Sequence, residues 1–246
     1  MPFFALSLLL QVACVVHIMR TGRERFWIYV VMFLPMAGMA AYLIAEVLPS
    51  MIGARTSQKV MAGAAKAINP TRDLRRCEQA LDMSDTIQNR QQLAEQYLLH
   101  GRPEDAEPLY VRSLVGMHAN DPILLLGLAR ARFDQDRFAE ALECFEQMDG
   151  GVAGLTPEGR LFHARCLEAA GQPQAALTAY AGLADAYSGE EARCRYAMLL
   201  YTQGRTAESM AVFQEILKRA NRAARDYRRN QKEWIDIARQ ATASMG

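Results

Sequence analysis

Apolar residues are laid out in two ways along the 246 residues. Phe3 to Met19 and Phe26 to Ala45 are near-continuous apolar runs of 17 and 20 residues without a formal charge. From about residue 71 onward, apolar positions instead recur at helical spacing between charged and amide residues, the pattern of amphipathic helices. At about 1.5 Å rise per residue, twenty helical residues span roughly the 30 Å hydrocarbon core of a bilayer, and the first run is near the lower limit. Trp27 and Tyr29 stand at one end of the second run, where aromatic rings favour the membrane interface. Residues 1–49 are therefore expected to form a transmembrane helical hairpin, with helices at about 3–19 and 26–48 joined by RTGRER. A cleaved signal peptide fits poorly, because no basic start precedes the first run and His17-Ile-Met-Arg20 follows it. A lipoprotein site at Cys14 would need a Leu-like residue where Gln11 stands. A buried soluble hairpin is disfavoured by Pro35 and Gly38, which membrane helices tolerate better.

The second pattern repeats. LAEQYLLHGRPEDAEPLY (Leu93–Tyr110), LARARFDQDRFAEALECF (Leu128–Phe145), HARCLEAAGQPQAALTAY (His163–Tyr180) and YAMLLYTQGRTAESMAVF (Tyr196–Phe213) align without gaps, with starts 35, 35 and 33 residues apart. A small residue recurs at Ala94, Ala129, Ala164 and Ala197. A turn residue follows at Gly101, Asp136, Gly171 and Gly204, where Gly removes the steric cost of a left-handed backbone and Asp tolerates it less well. A second small residue recurs at Ala106, Ala141, Ala176 and Ser209, and an aromatic at Tyr110, Phe145, Tyr180 and Phe213. Two small positions allow two helices to approach closely, and the aromatic fills the gap to the next pair.

This pattern, at a period near 34, resembles the tetratricopeptide repeat over residues 86 to 217. The fold class it implies is all-α: a solenoid of helix pairs following the transmembrane hairpin and closed by a long C-terminal capping helix. The family's Trp near the start of each first helix is absent here, where Arg90, Leu125, Arg160 and Arg193 stand, and its closing Pro survives only as Pro122. Residues 50–85 read as a helical linker or a divergent first pair, including a helix over 71–82 with Thr71 as N-cap. Asp149 to Pro157 reads as the flexible connection inside the array. Residues 218–246 read as the cap, a single polar helix over Arg219–Ala241 containing Trp234 and Ile235.

In the family, the first helix of each pair lines a concave surface. By that register the partner-binding groove includes Gln92, Glu95, Arg130, Phe133, Arg165, Arg195, Met198 and Tyr201. Arginines beside aromatics can clasp an acidic or extended peptide through bidentate carboxylate contacts and stacking. They can equally pair with the array's own acids, and the sequence leaves both readings open. Some members grip a C-terminal carboxylate with a Lys at one position of the first helix. Gln91, Leu126, Leu161 and Cys194 occupy it here, so that clamp is not expected.

Residues 5 to 48, with their short apolar run, basic loop, Leu34-Pro35 and Gly38, also resemble the N-terminal segment of bacterial cardiolipin synthases of the phospholipase D superfamily. That resemblance implies an anchor only. The superfamily's chemistry uses H-x-K-x4-D, and none of His17, His100, His118 and His163 has a Lys two residues on.

The net charge of +1 conceals an asymmetry. Residues 50–82 carry six bases against three acids, residues 83–217 eleven against nineteen, and residues 218–246 eight against three. An acidic middle between basic flanks does not suggest a nucleic-acid binder. The five cysteines have no CxxC spacing, which favours reduced thiols and a cytosolic setting. His163 and Cys166 sit three apart without a second ligand pair, so no metal or other cofactor is expected. No Ser-His-Asp set and no phosphate-binding Gly loop is present, and the chain is not expected to be an enzyme.

The sequence thus predicts an adaptor at the bacterial inner membrane. Its lipid partner is met through the hairpin. Its protein or peptide partner is met through the groove, and is acidic if the groove arginines stay free. Charges flanking the apolar runs give a near tie for orientation, and the cysteines favour a cytoplasmic repeat domain. An accessory subunit of cardiolipin-type lipid synthesis is the competing reading, and self-association through the repeats is a third.

Overall fold

In a computed structural model, residues 71–184 and 186–245 are described. All of their regular structure is helical: α1 Arg72–Met83, α2 Ile87–Leu99, α3 Pro103–Ser113, α4 Pro122–Phe133, α5 Phe138–Glu146, α6 Pro157–Ala169, α7 Pro173–Ala181, α8 Glu191–Thr202, α9 Thr206–Arg222, α10 Arg225–Asn230 and α11 Lys232–Met245. Helix starts follow local chemistry. Pro103, Pro122, Pro157 and Pro173 open four helices, where the missing N–H costs nothing. Asp121 caps α4 by accepting from the Ile123 and Leu124 amides at 2.8 and 3.2 Å. No helix among the described residues is long and apolar enough to cross a membrane. The hairpin expected at 1–49 lies outside the described residues.

Helices α2/α3, α4/α5, α6/α7 and α8/α9 form the four expected antiparallel pairs. Each turn closes identically. The residue after the turn donates its amide five residues back: Arg102 to Tyr97, Arg137 to Arg132, Gln172 to Leu167 and Arg205 to Leu200, at 2.9–3.0 Å. The turn residue itself donates three back. This double closure needs a left-handed backbone, and Gly101, Asp136, Gly171 and Gly204 have φ of 66°, 60°, 71° and 77°. Asp136 is the one non-Gly residue with positive φ among the described residues.

The repeated small and aromatic positions are the core. Ala94, Ala129, Ala164 and Ala197 on the first helices, and Ala106, Ala141, Ala176 and Ser209 on the second, are all fully buried. Where Ser209 replaces Ala, its hydroxyl donates to the Ala197 carbonyl at 2.7 Å, so the extra polar atom is satisfied across the same helix crossing. Tyr110, Phe145 and Tyr180 are buried between successive pairs, and Phe213 between the last pair and α11. Cys144, Cys166 and Cys194 are buried free thiols, and burial pushes Cys166 and Cys194 up to about 12.

Two expectations are corrected. The single helix expected over Arg219–Ala241 is broken: Ala223 and Ala224 are extended, with ψ of 155° and 157°. The break lets α11 fold back onto α9 and α8, burying Ile235 and Ala238. A straight helix would carry these apolar side chains away from the core. The connection after α5 is not a plain flexible loop. Gly150 and Gly151 turn it with φ of 74° and 59° into a 3-10 turn at Val152–Gly154, and the Asp149 amide donates to the Asn120 carbonyl at 3.1 Å.

The first two pairs are also joined by charge. Glu107 of α3 accepts from Arg132 Nε at 3.2 Å, Gln135 Nε2 at 3.0 Å and Arg137 Nη1 at 2.5 Å. Partial burial pushes its carboxyl up, but these donors outweigh burial and hold it below the ordinary Glu value. A depressed carboxyl stabilises the fold above its unfolded pKa of about 4.3. That contribution is lost as pH falls through the lower folded value. Urea midpoints are expected to drop between about pH 5 and pH 3, and Glu107→Gln is expected to flatten that slope. A variant with an unaltered pH slope would show that Glu107 does not govern this window.

Candidate functional site

A groove of about 480 Å³ opens across α2, α4 and α6. Four of the eight predicted groove residues line it: Glu95, Arg130, Phe133 and Arg165. Spacing puts them there. Arg130 and Phe133 are three apart on α4, so both project to one side of the helix, and Arg165 stands one repeat later at the same register as Arg130.

The arginines are held by crossed stacking. The Arg165 guanidinium lies 5.6 Å from the centre of Phe133, and Arg130 lies 5.9 Å from the centre of Phe162. Phe133 and Phe162 meet edge to face at 5.3 Å, so each helix supplies one cation to the other's ring, within cation–π range. Among the described residues neither arginine has a carboxylate within 4.0 Å. Burial raises the Asp134 carboxyl, and the charges of Arg165 and Arg130 only partly offset it. Two oriented guanidiniums with unused donors suit carboxylate recognition.

Apart from the Asp134 carboxylate, the rest of the groove lining is apolar. Leu98, Leu99, Ile123, Leu126 and Phe162 contribute, with Leu99 and Ile123 71% and 65% exposed. Leu126 stands at the position where a clamp Lys would sit. Its apolar side chain and the free Ile123 were readable as residues at first-helix register. Phe162 stands at the register of Gln92 and Arg195, so its place on the groove side was readable too; only its edge-to-face meeting with Phe133 depends on how α6 crosses α4.

Tyr110 underlies this floor. A Cβ built on Gly127 would lie 2.3 Å from Tyr110 Cε1 and 2.4 Å from Cζ. Gly127 is therefore needed for α4 to lie on the buried ring. Gly127→Ala is expected to destabilise by about 1–3 kcal/mol despite its better helix propensity. Adding Tyr110→Leu should recover part of the loss in denaturant titration, and a double variant no better than strict additivity would refute the contact.

The other predicted residues are not brought to this groove. Gln92 is exposed on α2. Met198 and Tyr201 are 42% and 52% exposed on α8. Arg195 is spent on the fold: its Nε bonds Glu191 at 2.9 Å and its Nη1 lies 3.6 Å from Glu168. Trp234 of α11 lies under its guanidinium at 5.4 Å. Glu168 also accepts the Tyr180 hydroxyl at 2.5 Å. Self-pairing, one of the two readings left open by sequence, thus describes Arg195 but not Arg130 or Arg165.

No group of three His, Cys, Asp or Glu that could hold a metal comes together among the described residues. His163 stacks edge-on to Phe145 at 4.8 Å, and burial lowers its pKa.

Comparison with known proteins agrees with this architecture. A family model for the tetratricopeptide repeat matches residues 92–153 and 163–232, more than half of the chain. The match does not reach residues 5–48. No curated protein matches. A crystal structure of a thermophilic TPR protein from Thermus thermophilus superposes with TM-score 0.50 at 17% identity, covering 70% of this chain and 88% of that one. Nearly identical TPR-like repeats from Podosopora anserina superpose with TM-score 0.52 at 20% identity, covering 64% and 87%. At such identities these two structures speak for the fold alone. Repeats of this kind are in general non-catalytic scaffolds. With its family model matched across both halves of the solenoid and its four turns closed alike, the chain belongs to the tetratricopeptide repeat family.

Proposed function

We propose that this chain is a membrane-anchored adaptor that captures a protein partner, an acidic and partly apolar peptide segment, in the groove of α2, α4 and α6. The observation that carries this reading is the pair of arginines stacked crosswise on Phe133 and Phe162, with no carboxylate of the described residues within 4.0 Å. A partner carboxylate can take both guanidiniums, and an adjacent apolar side chain can rest among Leu99, Ile123 and Leu126. Gln92, Met198 and Tyr201 would then touch only a longer partner. The two uncharged runs before residue 49 supply the anchor, at the bacterial inner membrane with the repeats on the cytoplasmic side. Tethering the groove to a surface raises the local concentration of a partner held there.

A photo-crosslinking residue at Glu95 of the full chain, in native membranes, is expected to give a discrete protein adduct. The same residue at Gln174, exposed on α7, is expected to give none. Matching adducts from both positions would sink the groove. An adduct with the mass of two copies of this chain would replace a foreign partner by self-association. Carbonate washing tests the anchor: the chain is expected to stay with the membrane, and its release would remove that part of the reading.

A further inference from the structure

Residues 218–245 carry a marked positive excess, eight bases against Asp226, Glu233 and Asp236. Folding consumes half of these bases. Lys218 faces Glu215 at 3.9 Å, Arg219 reaches Glu190 at 3.1 Å, and Arg229 and Arg239 pair with Asp226 and Asp236. Arg222, Arg225, Arg228 and Lys232 have no carboxylate within 4.0 Å among the described residues, and all four are exposed. They follow one another around the corner where α9 passes through α10 into α11. Arg228, Lys232 and Arg239, together with Asn221 and Asp236, line one pocket of about 280 Å³, in which the Asp236 carboxylate is neutralised by Arg239.

We infer that this corner docks on an anionic phospholipid surface, with the pocket receiving a headgroup phosphate. Each unpaired cation near an anionic leaflet raises occupancy of the surface by about fivefold, within a Debye length. A nucleic acid fits less well, for two reasons on the molecule itself. Single-strand binding stacks bases on open aromatic faces, yet Trp234 is half-buried with the Arg195 guanidinium over its ring. Residues 83–217 carry nineteen acids against eleven bases and would repel a polyanion running past the corner. A lipid surface meets only the corner.

The test uses the full chain with vesicles of phosphatidylcholine, with or without phosphatidylglycerol. Arginine modification by phenylglyoxal is read residue by residue. With phosphatidylglycerol, modification of Arg222, Arg225 and Arg228 is expected to slow about fivefold, while Arg102, on the α2–α3 turn, is unchanged. High salt should abolish the protection. So should the combined Arg225→Gln, Arg228→Gln, Lys232→Gln variant, read at Arg222. Equal rates on the two vesicle types would overturn the inference. Equal protection by inorganic phosphate or duplex DNA without phosphatidylglycerol would also overturn it, by assigning the corner to a soluble anion. Carbonate-resistant flotation on phosphatidylcholine alone reports the anchor separately, so the two readings fail independently.

Discussion

Glu190→Ala is expected to cost about 3–5 kcal/mol, the range for removing one partner of a buried ion pair. Glu190 is fully buried at the entrance to α8. Its Oε1 accepts from the Tyr227 hydroxyl at 2.7 Å and Arg219 Nε at 3.1 Å, and its Oε2 lies 3.4 Å from Arg193 Nη1. Its amide donates to Gln231 Oε1 at 2.9 Å. One residue therefore ties α8 to α9, to α10 and to the start of α11. Most of the cost falls on Arg193, which is 7% exposed and would keep only the Gly189 carbonyl at 3.2 Å. The half-exposed Arg219 can turn to water and adds little. Glu190→Gln keeps the shape and should cost less. Because repeat arrays unfold by units, amide exchange is the sharper readout. It is expected to rise in α8 to α11 and stay unchanged in α2 to α5. Unchanged exchange at the C-terminal end would show that the cluster does not hold the cap.

Arg130→Glu with Arg165→Glu is expected to weaken capture of an acidic peptide by more than about 100-fold, as removal of two central arginines from an interface does. The fold should persist, because neither side chain forms an ion pair in it. The variant also sets two new carboxylates beside Asp134, so repulsion adds to the lost attraction. Arg195→Glu should behave differently. It breaks the contacts to Glu191 and Glu168 and places a negative charge between them, so the thermal midpoint should fall and capture should change only through folding. Circular dichroism melting and peptide titration on the same samples separate the two outcomes. Retained capture in the double variant would end the groove reading.

Arg130 and Arg165 lie at the surface, so their pull on an acidic partner is screened within about 10 Å at moderate salt. The apolar contacts of Leu99, Ile123 and Leu126 are not. Charge thus governs the encounter and the apolar floor governs retention.

The repeats were legible because their physics is local and recurs. Ala94, Gly101, Ala106 and Tyr110 each do a job that only a small residue, a left-handed residue or a ring can do, and their three later counterparts do the same. Even Asp136 announced itself, standing where the other turns carry Gly. The groove was half legible. Register placed Glu95, Arg130, Phe133 and Arg165 together, since equivalent positions on successive first helices face the same way. Register places Met198, not Arg195, at the position of Arg165; Arg195 is taken up by Glu191 one turn earlier on α8 and by Glu168 of α6, with Trp234 of α11 under its guanidinium.

The sequence by itself determined the helix pairs, their turns and the small-residue crossings, because each depends on neighbours within one repeat. Only the tertiary structure decided where the cap breaks and that Arg130 and Arg165 stack crosswise on Phe162 and Phe133. Those outcomes follow from how successive helices cross, and a crossing is set by packing between residues far apart in the chain.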